Sequence, residues 1–310
     1  MFTQFVRLAV LGLFASVAAP TTQPVTAAQA AAPAPVLYRL DAAANLVEGC
    51  QEPCKCPLWL NEDLVGTFVL RFDHSEPNWT DVYAVENVNW MLGFGPTAQR
   101  ITGSGELRVG GQLAVTQQLT LDLSFDGAPP MRFDSGAVPL AAGLPKLDVA
   151  VAMNGFFCFD RVFSVVASPV PVAEVQSFRL RSSSLEVGCQ APCLCPVLLE
   201  AVAGRFGLVD LGLASDPAHM HFALVDLRWR TRPAPGNQAH TYSGFGLYAI
   251  DALGAEHRLQ CDLSEDGAAP VHFDSGLVPG GIAFAPQIEI DIAQNGFYCF
   301  DRVFRLHALP

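Results

Sequence analysis

Apolar and polar residues alternate with a period of two through much of the chain. Leu147, Val149, Val151 and Met153 alternate with Asp148, Ala150 and Ala152. Ile288, Ile290 and Ile292 alternate with Glu289, Asp291 and Ala293. Successive strand side chains point to opposite faces, so this period predicts β-strands with one buried face. Leu119, Leu121, Leu123 and Phe125 form another such face, followed by the turn dipeptide Asp126-Gly127 and a short strand, Met131–Asp134. Asn154-Gly155 and Asn295-Gly296 close the first two patterns and predict tight type I′ hairpins into aromatic strands, Phe156–Val166 and Phe297–His307. Leu37–Asp41, Gly66–Phe72, Val82–Met91, Arg100–Val109 and Leu113–Leu119 complete the strand set. No convincing helical stripe appears, and the lone helix candidate, Pro57–Val65, is short and unrepeated in detail.

The pattern occurs twice. Gly49-Cys50-Gln51-Glu52-Pro53-Cys54-Lys55-Cys56-Pro57 returns as Gly188-Cys189-Gln190-Ala191-Pro192-Cys193-Leu194-Cys195-Pro196. Phe133-Asp134-Ser135-Gly136 returns as Phe273-Asp274-Ser275-Gly276, and Cys158-Phe159-Asp160-Arg161 as Cys299-Phe300-Asp301-Arg302. The separation between copies drifts only from 139 to 141 residues. The expected fold is all-β: two tandem homologous antiparallel domains, sandwich or barrel, of about seven to eight strands each. The domains are placed at 36–168 and 174–310, with a Pro-containing linker at 169–173.

Residues 1–35 read as a secretory signal peptide and flexible leader. Arg7 is the only charge before Arg39, and the apolar run Leu8–Ala19 is too short to span a bilayer. The expected location is therefore secreted or periplasmic, with no membrane span in the mature chain. The 310 residues carry 18 Lys and Arg against 30 Asp and Glu, a formal net charge of −12. That sign argues against nucleic acid as a partner, which requires a basic face. The sequence leaves the partner open, with an envelope or extracellular protein or polysaccharide among the candidates. The charge divides evenly, −7 and −6, between the two halves.

Each half carries C-x3-C-x-C near its start and one cysteine near its end. These are Cys50, Cys54, Cys56 and Cys158, then Cys189, Cys193, Cys195 and Cys299. In an oxidising compartment such sets form disulfides. A Cys54–Cys56 bridge is strained, which leaves Cys50–Cys54 with Cys56–Cys158, or Cys50–Cys56 with Cys54–Cys158. The rival is zinc or copper on the thiolates. Cys261 is the ninth cysteine; its counterpart is Leu121, so it reads as a buried thiol serving as a small hydrophobe.

Other groups carry weaker chemistry. Asp122, Ser124 and Asp126, repeated as Asp262, Ser264 and Asp266, resemble the start of a calcium loop, but Phe133 and Phe273 stand where its bidentate Glu belongs. His219 and His221 flank Met220 and are a candidate ligand pair. Arg228, Arg230 and Arg232 share one face, with Trp229 opposite, and are candidates for an anion or polysaccharide contact. Asp160-Arg161 and Asp301-Arg302 are adjacent strand residues, so each is expected to pair across strands. Neither G-x-S-x-G nor H-E-x-x-H occurs, and no triad is repeated. The expectation is a non-catalytic binding or structural protein. The alternatives are a carrier of a small apolar ligand inside a barrel, and a metal-handling or redox protein using the cysteines.

Overall fold

The computed structural model describes residues 33–57, 59–93, 98–140, 143–212, 219–232, 238–251, 255–280 and 287–310. The expected signal peptide falls outside these residues as far as position 32. The first half contains β1 (Val36–Leu40), β2 (Asn45–Cys50), β3 (Trp59–Glu76), β4 (Thr80–Leu92) and β5 (Gln99–Gly110). It continues with β6 (Thr116–Phe125), β7 (Met131–Asp134), β8 (Val138–Pro139), β9 (Leu147–Ala152) and β10 (Phe159–Pro169). A 3-10 turn, Val172–Glu174, leads into the second half. There the strands are β11 (Val175–Leu180), β12 (Ser183–Cys189), β13 (Leu198–Asp210), β14 (His219–Arg232) and β15 (Thr241–Asp251). They are followed by β16 (Glu256–Glu265), β17 (Val271–Asp274), β18 (Val278–Pro279), β19 (Ile288–Ala293) and β20 (Phe300–Leu309).

Each half closes on itself. From β2 the pairing runs through β3, β4, β5, β6, β7, β9 and β10, and β10 returns to β2. β1 enters the same gap between β3 and β10 further along, and β8 takes a place beside β6. The second half repeats the circuit with β12, β13, β14, β15, β16, β17, β19 and β20. The architecture is thus two antiparallel eight-membered barrels, not sandwiches. Closure removes the unpaired edges that an open sheet would expose.

An eight-stranded barrel is just wide enough for its own side chains. In the first, Trp90 packs against Phe68 at 6.1 Å and Phe163 at 5.9 Å, and Phe163 meets Phe133 at 5.0 Å between ring centres. In the second, Phe304 gathers Trp229 at 5.3 Å and Tyr242 and Phe273 at 5.2 Å. Gly66 is required by this packing. A Cβ there would lie 2.2 Å from the Asn89 carbonyl oxygen and 2.7 Å from the Trp90 Cα. Cys261 faces the second core beside Phe273, unpaired and fully buried, and burial pushes its thiol pKa up.

Four local expectations change, the first at Leu113–Leu119, where residues 111–115 form a loop and one strand runs from Thr116 to Phe125. Pro57–Val65 is not a helix, because its residues enter the 18-residue strand β3 and pair with β2 and β4. Strand β2 was hidden by the glycine and cysteine that interrupt its alternation. Asp126-Gly127 does form a turn with both central φ positive, at 48° and 76°. Asn154-Gly155 does not, for Gly155 and Phe156 carry the positive φ values and the loop continues to residue 158. The reason is Asp160. Its fully buried carboxylate accepts the backbone N–H groups of Met153, Asn154 and Phe156 at 2.7–3.1 Å, which opens the hairpin around it. Asp301 does the same with Asn295 and Phe297. Arg161 pairs across strands with Glu48 at 2.9 Å.

That loop presents a cysteine. Cys54–Cys158 and Cys193–Cys299 tie the loop after β2 or β12 to the final hairpin, while Cys50–Cys56 and Cys189–Cys195 close the short loops. All eight sulfurs are therefore in disulfides. Four disulfides fit an oxidising, non-cytosolic compartment. Among the described residues, no helix is long and apolar enough to cross a membrane.

The barrels pack against each other through outward-facing residues. Met91 of the first meets Val209, Leu211, Ala223, Val225 and Leu247 of the second in a third apolar cluster. At its border Asn89 is fully buried and donates to the Gly246 carbonyl at 2.6 Å. Arg100 reaches across to Asp262 at 2.9 Å and lies over the Phe245 ring.

Candidate functional site

A pocket of about 270 Å³ opens beside this interface. Its apolar wall is Met91, Ala98, Leu247, Ala249 and Leu277. The polar wall is Arg100, His219, His221, Arg258 and Gln260. Among the described lining residues none is acidic, although the chain as a whole is strongly so.

The acids stand one layer behind and hold the cations in place. Arg258 donates through Nε to Asp274 at 3.0 Å, and Gln260 donates to the same carboxylate at 3.1 Å. Arg100 donates to Asp262, whose other contact is the His272 ring at 2.8 Å. Burial raises the Asp262 pKa, but His272 and Arg100 outweigh it and keep the carboxyl below its usual range. Asp274 is likewise pushed up by burial and brought below its usual range by Arg258 and the Gly276 N–H. Both acids are thus ionised partners that fix the guanidinium groups at the pocket wall.

The duplication supplies a built-in comparison. Strand register matches Leu247 and Ala249 to Glu106 and Arg108, and His219 and His221 to Thr80 and Val82. In the first barrel Arg108 pairs with Glu76 and Glu106 and closes that surface. The second barrel has lost those charges and gained the histidines. Arg258 replaces Gln118, which makes the corresponding contact to Asp134. The pocket is thus assembled where the two halves differ.

The remaining sequence candidates separate. His219 and His221 meet in the pocket, with ring centres 5.9 Å apart. Arg228, Arg230 and Arg232 share an exposed face as expected, but they line no part of this pocket, and Arg228 pairs with Asp226 at 2.8 Å. The oxygens of the calcium-like motif serve different partners. Asp262 turns to Arg100, Ser264 donates to the Ala268 carbonyl, and Asp266 accepts from Thr241. In the first half Ser124 donates to Ala128, Asp126 accepts from the Arg100 N–H, and Asp122 lies 4.0 Å from Arg132. Sequence reasoning missed Arg100, Arg258 and the apolar wall. The signal that could have found them was the departure of the second half from the first at outward-facing strand positions. No family model matches the chain, nor does any curated protein or solved structure.

Proposed function

We propose that the chain is a secreted, non-catalytic binding protein, and that the pocket between its barrels takes a small organic anion with an apolar body. One observation carries the reading: the lining joins Met91 and Arg100 of the first barrel to Leu247, Ala249, His219, His221 and Arg258 of the second, whose counterparts in the first barrel differ. Shared residues maintain the scaffold, and divergent residues at one concave place are where recognition develops. The lining residues Arg100 and Arg258 would face the carboxylate or another acidic group of the ligand. The body would lie against Met91, Leu247 and Leu277. The aromatic packing along each barrel supports a site between the barrels over a cavity within one.

The test is thermal unfolding of the full chain against matched small carboxylates, amines and alcohols on the same aliphatic and aromatic skeletons. The carboxylates are expected to raise the melting temperature through preferential binding to the folded state. Ala249→Phe, which fills the apolar wall, is expected to abolish the shift. Equal stabilisation by amines or alcohols, no stabilisation by any class, or an undiminished shift in the Ala249→Phe protein refutes the proposal.

A further inference from the structure

Away from the pocket, on the rim where β15 and β16 meet, a second group of donors converges. His240 Nδ1 lies 2.8 Å from Asp266 Oδ2 and 3.2 Å from Glu265 Oε1. One ligand atom from each of the three residues lies within 4.8 Å of the others. Around an ion with Zn–N and Zn–O bonds of about 2.0–2.2 Å, neighbouring ligand atoms are separated by about 2.8–3.6 Å. The two measured distances fall in that span. All three side chains remain partly open to solvent, which leaves room for water to complete the coordination.

The first barrel shows which of these contacts the scaffold needs. Its turn aspartate, Asp126, accepts the Arg100 N–H through Oδ1 at 2.9 Å, as Asp266 Oδ1 accepts the Thr241 N–H at 2.8 Å. That turn contact uses Oδ1 and leaves Oδ2 for other work. Register places Gln99 where His240 stands, Ile101 at Tyr242 and Phe125 at Glu265. Three changes therefore replace Gln99, Ile101 and Phe125 by an imidazole, a phenol and a second carboxylate beside the retained aspartate.

Part of that change has another cause. Arg161 pairs with Glu48, whose counterpart is Val187, and Arg302 instead takes Glu265 Oε2 at 2.7 Å. Pairing with Arg302 accounts for Oε2. It accounts for neither the Gln-to-His difference nor the aim of Oε1, which accepts from Tyr242 at 3.1 Å and faces His240.

From this geometry we infer that His240, Glu265 and Asp266 form a zinc site on the second barrel, independent of the pocket between the barrels. One imidazole nitrogen and two carboxylate oxygens suit zinc. Ligation needs Nδ1 free of its proton, which moves to Nε2 or to solvent as the ion enters. Tyr242 and Arg302 hold Glu265 in position as outer partners.

Isothermal titration of the full, chelator-treated chain with zinc chloride tests the inference, alongside His240→Gln and Glu265→Gln. The first variant installs the residue of the other barrel, and the second preserves the side-chain shape beside Tyr242 and Arg302. One zinc per chain is expected, weakened roughly tenfold or more in each variant. A His219→Ala/His221→Ala chain should bind as the parent does. Zinc-edge X-ray absorption on the unaltered chain should show one imidazole, oxygen neighbours and no sulfur. No zinc heat, binding that survives His240→Gln, or a spectrum with two imidazoles overturns the assignment. The absorption measurement decides the matter even where a variant fails to fold.

Discussion

Replacing Cys54 and Cys158 together by alanine tests the role assigned to the long staple. These residues are 104 positions apart, whereas Cys50 and Cys56 are six apart. In the chain-entropy model the stabilisation at 25 °C is about 4.8 kcal/mol for the long closure and about 2.3 kcal/mol for the short one. The folded geometry around the long bridge has independent support. The Gln51 N–H donates to the Cys158 carbonyl at 2.8 Å, and β2 stays paired with β10. The main loss is therefore the freedom restored to the unfolded chain. Each double substitution removes two sulfurs, so comparing the two pairs cancels much of the local packing change. Urea unfolding should show Cys54→Ala/Cys158→Ala less stable than Cys50→Ala/Cys56→Ala by about 2–3 kcal/mol. Hydrogen exchange should place the added opening in residues 36–168, because neither bridge links the first barrel to the second. Equal losses, or a larger loss from the short bridge, would refute the entropic reasoning.

Asp160→Asn should cost about 3 kcal/mol, because an amide nitrogen would face loop N–H donors that a buried carboxylate now satisfies; urea unfolding measures the loss. His257 is buried against the Tyr248 hydroxyl at 3.1 Å, and burial lowers its pKa below the ordinary 6.5. Its neutral folded form therefore loses stability as pH falls from about 6.5 towards the depressed value, by at most about 1.4 kcal/mol per pH unit. Urea melts of the parent and of His257→Gln should diverge in that window, with the variant flatter; an equally steep fall in the variant would exclude His257 as the cause.

The barrel scaffold was legible because its determinants are local and repeated. Alternation marked Leu147–Met153 as a one-faced strand, and Asp126-Gly127 specified a turn that the backbone adopts. Where a group outside the turn dipeptide intervened, local reading failed. Asn154-Gly155 had the chemistry of a two-residue turn, yet the buried Asp160 carboxylate gathers three N–H groups and forces a longer loop. Phe157 and Phe159 fall in the segment expected as an aromatic strand, Phe156–Val166, but they are exposed beside the disulfide while Phe163 fills the barrel. Hydrophobic periodicity reports a face only where the strand is regular.

The candidate site was less legible for a related reason. Asn89 and Arg228 occupy equivalent places beside the core tryptophans Trp90 and Trp229. One is buried and bonded to Gly246 across the interface; the other is exposed and paired with Asp226. Nothing in either local sequence states which outer face will meet the other barrel. A residue's chemistry here is fixed by docking, a relation between segments more than 150 residues apart. Arg100 shows the consequence. In the sequence it is one of sixteen arginines at the start of a strand. In the folded chain it crosses to Asp262 and places its guanidinium at the wall of the pocket. The chain holds two similar barrels, and the differing faces that meet form a pocket that neither barrel contains alone.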